Sequence, residues 1–161
     1  MQGTVRLSTG ERISGKVSLT SGKPLVVRVP GRKAPLRIWL SESARIDVVV
    51  KEKRVEPEYR FKEEGSNEKV YTGRTRPRLE FGLKILLRNG KKVEGELAKG
   101  IALFVETAEG ERRKTPPLKP YDHGQYGQTA RDVVYVQSIA FEDAATEPPP
   151  ASSDSEEPAA E

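Results

Sequence analysis

The sequence predicts an all-β chain: two tandem small bent antiparallel β-barrels, a linking hairpin and a disordered acidic tail. Three observations carry the prediction. Apolar residues alternate over short runs, glycine-centred turns separate those runs, and the strand-and-turn pattern of residues 5–28 recurs at 85–106. Only Ser41-Glu42-Ser43-Ala44 suggests a helical turn, and it is one turn at most.

The recurrence is residue-specific. VRLSTGERISGKV (5–17) aligns with ILLRNGKKVEGEL (85–97) at an offset of 80. Leu7 then matches Leu87, Gly10 matches Gly90 and Gly15 matches Gly95, while Val5/Ile85, Ile13/Val93 and Val17/Leu97 agree in character. After a two-residue deletion, Gly22, Leu25 and Val27 align with Gly100, Leu103 and Val105. Thr9-Gly10 and Asn89-Gly90 each lie between alternating runs, the signal of a tight hairpin. Gly15 and Gly95 fall inside strands, where a missing side chain permits a bulge or a sharp corner. Each copy closes on an apolar strand, within 36–50 and 132–143. The expected boundaries are 1–50 for the first barrel, 51–80 for the linker, 81–143 for the second barrel and 144–161 for the tail.

The pattern apolar-x-Leu-x-x-Gly-x-x-apolar-x-Gly-x-apolar, at Val5 to Val17 and Ile85 to Leu97, resembles the first motif of Sm-like proteins. The resemblance covers about 25 residues in each half and implies a strongly bent five-stranded barrel of a kind that often binds RNA as rings. The acidic residue and RNA-contacting Asn of that family would fall after the second glycine. The stretches here read SLTSGKPL and AKGIALF and hold neither, so those roles are not carried over.

Two inserts interrupt the barrels. In the first, Glu58-Tyr59-Arg60-Phe61-Lys62 and Glu68-Lys69-Val70-Tyr71-Thr72 predict a hairpin around Gly65-Ser66-Asn67, with Tyr59, Phe61, Val70 and Tyr71 available to cover a barrel. Arg74, Arg76 and Arg78 follow at every second position. In an extended chain they share a face, and guanidinium forks suit phosphate oxygens; the alternative is a solvated linker face. The second insert, 107–131, carries Arg112-Arg113-Lys114 and then KPYDHGQYGQ, where Tyr121 and Tyr126 alternate with amides and glycines. Such a loop suits stacking on bases, or packing of the tyrosines on the barrel.

The charge is asymmetric. Glu142, Asp143, Glu147, Asp154, Glu156, Glu157 and Glu161 have no basic neighbour after residue 131, which leaves residues 1–141 with 28 basic and 17 acidic side chains. A basic body with an acidic, proline-bearing, disordered tail is the layout of a nucleic-acid binder, or equally of a soluble surface with an ordinary disordered tail. With no cysteine and one histidine, disulfides, thiolate metal sites and His-based relay chemistry are disfavoured. No nucleophile elbow or phosphate-binding Gly-Lys-Ser/Thr loop is present, so neither an enzyme nor a cofactor is expected. Arg28/Arg32 and Arg74/Arg78 have the arginine spacing of a PilZ-type receptor, without its companion Asp/Asn-x-Ser-x-x-Gly. The opening residues lack signal-peptide order and no apolar run nears the length of a membrane helix, so a cytoplasmic protein without a membrane partner is expected.

The leading expectation is thus binding of RNA or single-stranded nucleic acid through Arg74, Arg76, Arg78, Arg112, Arg113, Lys114, Tyr121 and Tyr126. The alternative is a protein-interaction or assembly module using a barrel edge or the 119–128 loop. One continuous positive stripe would favour the first; mixed charge beside an apolar patch would favour the second.

Overall fold

The computed structural model describes residues 1–20 and 22–142. The expected acidic tail, 144–161, lies outside the described residues. The described chain is all-β, with only two short 3-10 turns, at Leu40–Glu42 and Ala130–Asp132. No helix among the described residues is long and apolar enough to cross a membrane.

Strands β1 (Gln2–Leu7) and β2 (Arg12–Leu19) form one hairpin, and β6 (Lys69–Leu87) and β7 (Lys92–Leu97) another. Their turns pass through Gly10 at φ 95° and Gly90 at φ 89°, the left-handed region that glycine enters at no steric cost. Val5 faces Ile13 in the first hairpin, and Ile85 faces Val93 in the second. The remaining strands are β3 (Leu25–Arg28), β4 (Leu36–Ile38), β5 (Ser43–Phe61), β8 (Leu103–Glu106), β9 (Arg112–Lys114), β10 (Tyr121–His123) and β11 (Val136–Phe141).

The sequence predicts two barrels, each built from consecutive strands. The pairing differs. β2 does not pair with β3; it pairs with β8, Val17 facing Val105 and Leu19 facing Leu103. β7 pairs with β3, Val27 facing Leu97. The strands form one antiparallel path, β4-β3-β7-β6-β5-β11-β1-β2-β8-β9, with β10 attached to β6, and the path does not close on itself. Its middle is the β5–β11 pair, where Ile46 faces Ile139 and both are fully buried. A single core cluster spans both halves, from Val5 and Val17 through Leu25, Ile46 and Ile85 to Leu103 and Ile139.

The physical reason is that Leu25/Val27 and Leu103/Val105 present the same two-residue apolar face. Local pattern therefore accepts either as the neighbour of β2 or of β7. Backbone hydrogen bonds fix the observed pairings: Thr20 N–H donates to Ala102 O at 3.2 Å, and Ala98 N–H donates to Val26 O at 2.8 Å. Gly15 and Gly95 mark the corners. β2 pairs with β1 up to Lys16 and with β8 from Lys16 onward, and a Cβ on Gly15 would fall on the Glu106 carbonyl. A Cβ on Gly95 would fall on the Arg28 carbonyl in the same way.

Candidate interaction site on the projecting ribbon

β5 and β6 have 19 residues each, far longer than any other strand. β5 meets β11 only over Arg45–Asp47, so its later half has β6 as its single strand neighbour. The two strands continue past the body as a two-stranded ribbon. A turn at Gly65 (φ 81°) closes it, with Lys62 N–H donating to Glu68 O at 2.9 Å and Ser66 Oγ accepting from Glu68 N–H at 3.0 Å. The chain turns where the sequence predicts a hairpin, but its two strands run on unbroken from the body and do not form a separate 51–80 linker. The base of the ribbon is clamped by a second apolar cluster of Leu79, Phe81 and Val133, with Phe81 and Tyr135 rings 4.9 Å apart.

Strand alternation gives the ribbon two unlike faces. On one, Arg54 faces Arg78 and Glu56 faces Arg76 across the strands. Arg74 grips Glu58 with both forks, Nε to Oε1 at 2.8 Å and Nη2 to Oε2 at 2.9 Å. Arg76 Nε donates to Glu56 at 3.0 Å, Arg78 Nε donates to Glu80 at 3.2 Å, and Arg54 Nη2 donates to Glu52 at 3.0 Å. The Thr72 hydroxyl adds a 2.6 Å hydrogen bond to Glu58. That hydroxyl, with the Arg74 guanidinium, holds the Glu58 carboxyl below the ordinary glutamate range. Arg54 does the same for Glu52 by hydrogen bond and charge.

β10 extends this face, pairing Tyr121 with Glu80 and His123 with Arg78. The loop then follows the β6 edge, Gly124 N–H donating to Pro77 O at 2.9 Å and Gly127 N–H to Thr75 O at 2.8 Å. Tyr121 lies under the Arg78 guanidinium, 4.0 Å to the ring centroid, and Tyr126 under that of Arg76 at 4.8 Å. His123 Nε2 stands 3.7 Å from Glu56, beyond hydrogen-bond distance.

The opposite face is apolar and open. Val55, Pro57, Tyr59 and Phe61 alternate along β5, and Tyr71 faces Tyr59 from β6. Val55 is 70% exposed and Tyr71 60%. The rings pack edge-on, Tyr59 to Phe61 at 5.8 Å and Tyr59 to Tyr71 at 6.1 Å. Lys53 and Lys69 are the charges on this face, Lys69 Nζ lying 4.4 Å from the Tyr59 centroid. The expectation that these aromatics cover a barrel is corrected: the ribbon carries them away from the body and leaves them exposed.

Of the residues singled out in the sequence, the fold brings together Arg74, Arg76, Arg78, Tyr121 and Tyr126. Their common face is real, but its arginines are engaged with glutamates. Arg112, Arg113 and Lys114 lie on β9, at the far end of the sheet path. There Arg113 pairs with Glu11 at 3.2 Å and Arg112 stacks over Phe104 at 4.1 Å. The sequence reading missed Glu56, Glu58 and Glu80. The signal for Glu56 and Glu58 is Glu52-x-Arg54-x-Glu56-x-Glu58, a row with the same two-residue period as the arginines, and Glu80 continues the arginine row itself. Among the described residues no three acidic or histidine side chains are placed to hold a metal ion. No protein-family model, curated protein or solved structure matches this chain.

Proposed function

We propose that this protein is a protein-interaction module whose projecting ribbon docks its apolar face on a partner with an apolar surface and an acidic rim. One observation carries the reading: Val55, Tyr59, Phe61 and Tyr71 stand exposed side by side, while the opposite face is internally ion-paired. An uncovered aromatic cluster on a soluble surface is the mark of an interface, and aromatics dominate interface energies. Lys53 and Lys69 at its border supply the complement for acidic groups. Nucleic-acid binding through Arg74, Arg76 and Arg78 would first require those side chains to leave Glu56, Glu58 and Glu80.

The test is a pull-down with the full chain, reading protein and RNA separately, against the variant Phe61→Asp/Tyr71→Asp. The docking reading expects a protein that co-purifies with the parent, survives nuclease treatment and is lost from the variant. Co-purifying RNA that is indifferent to these substitutions would favour the nucleic-acid reading.

We also infer that the two five-strand units, β1-β2-β8-β9 with β11 and β6-β7-β3-β4 with β5, are copies of one Sm-like half that have exchanged their last three strands. Equivalent registers support this. Val5 lies between Ile13 and Ile139 as Ile85 lies between Val93 and Ile46. Exchange of identical elements between copies is a low-cost rearrangement, and a shared chain keeps the copies at high mutual concentration.

A further inference from the structure

Because β2 hands over to β8 and β7 to β3, the turns leaving β2 and β7 lie side by side. Between them is a cleft of about 480 Å³, within the range of small-molecule sites. Lys23, Arg37 and Lys99 line it together with Thr20, and among the described residues no acidic side chain does. Arg37 faces Val26 across β3 and β4, so it stands on the outer side while Leu25, Val27 and Ile38 enter the core. None of the three cations takes part in an ion pair among the described residues. The contrast with the ribbon is physical. There every arginine of the 74–78 row has a glutamate; here three exposed cations line one concavity without a carboxylate partner among the described residues, an arrangement that attracts an anion.

A second hollow of about 210 Å³ shares Thr20, Gly22 and Lys23 with the first and is walled by Trp39. Trp39 is 46% exposed, so its indole is open to a planar ring. Unpaired cations beside an exposed indole, with Lys23 common to both hollows, suit a ligand with an anionic part and a planar part.

We propose that this paired cleft binds a small nucleotide, its phosphates on Lys23, Arg37 and Lys99 and its base against Trp39. The proposal is independent of the ribbon. Trp39 is the sole tryptophan of the chain, so its emission reads the site directly. The probes are ATP, inorganic tripolyphosphate and adenosine, titrated into the full-length protein. ATP should change Trp39 emission saturably. Tripolyphosphate should displace ATP without a change of its own, and adenosine should bind at least about tenfold more weakly, because it lacks the charge-assisted contacts.

Lys23→Gln/Arg37→Gln/Lys99→Gln, with the circular dichroism of the parent, should weaken ATP by at least about tenfold, whereas Trp39→Leu should keep tripolyphosphate binding by calorimetry. If the triple variant fails to fold, the turn substitution Lys99→Gln alone must weaken ATP severalfold. An absence of saturable response in the parent, or unchanged ATP affinity in the charge variants, overturns the proposal. A response to single-stranded oligonucleotide but not to ATP also overturns it, and would assign the cleft to a polymer.

Discussion

Replacing Gly95 by alanine probes the corner at which β7 leaves β6 for β3. The new Cβ would fall on the Arg28 carbonyl oxygen, 2.9 Å from Val27 Cγ1 and 3.1 Å from the Arg28 carbonyl carbon. The obstacle is backbone, so no side chain can swing aside. β3 is held on both sides, by Val27–Leu97 and Arg28–Glu96 toward β7 and by Leu25–Ile38 toward β4. Displacing it disturbs Leu25, Val27 and Leu97, all buried in the core. Overpacking of this kind costs about 1–3 kcal/mol. The smaller entropy of an alanine-bearing unfolded chain offsets roughly 0.4–1 kcal/mol. Where backbone must move, the cost lies at the upper end of that range, and the net loss is about 2 kcal/mol, or a fall in Tm of roughly 4–8 °C for a chain of this size.

Two controls bracket this change. Gly90→Ala meets no atom within 4 Å but keeps φ 89°, which costs about 1–2 kcal/mol for a residue with a Cβ. Gly100→Ala makes ordinary contact, 3.4 Å to Leu118 O, and should stay within about 0.5 kcal/mol of the parent. Urea unfolding followed by circular dichroism ranks the three. A Gly95→Ala variant as stable as Gly100→Ala would refute the close passage of β3 over β7.

Three further outcomes follow from the same contacts. Lys16→Cys/Glu106→Cys should form an intramolecular disulfide, because the residues are register partners and the chain has no other cysteine, whereas Lys16→Cys/Arg28→Cys should not; non-reducing mobility and intact mass read the result. Ile46→Ala, at the fully buried junction with Ile139, should cost about 2–5 kcal/mol in the same urea assay. The Glu58 carboxyl, its pKa lowered by Thr72 and Arg74, should titrate by NMR below the ordinary glutamate value, and Thr72→Val should raise its midpoint. A lowered folded pKa means that its contribution to ribbon stability is present above the ordinary glutamate range and is lost as pH falls through the lowered value.

The glycine turns and strand periods were legible in the sequence because they are local. Gly10 and Gly90 required only their own φ, and Gly15 and Gly95 announced corners by standing inside alternating runs. The partner strand at each corner was not legible, since Leu25/Val27 and Leu103/Val105 offer equivalent apolar faces. At the ribbon, the two-residue spacing of Arg74, Arg76 and Arg78 correctly gave one face. Their neutralisation depended on the strand opposite, whose Glu56 and Glu58 become neighbours only once Glu56 is set against Arg76. The exposure of Tyr59 and Phe61 followed from length: β5 outruns its pairing with β11 at Asp47, and the rings have no layer beneath them.

Photo-crosslinking from the two faces of the ribbon separates a protein partner from a nucleic acid within one molecule. A photoreactive phenylalanine analogue at position 71 reports the apolar face, and one at position 74 the ion-paired face. Docking through the aromatics predicts one protein adduct from position 71 in cell extract, lost when Val55→Asp is added, and little adduct from position 74. Nuclease-sensitive RNA adducts from position 74, with none to protein from position 71, would contradict it.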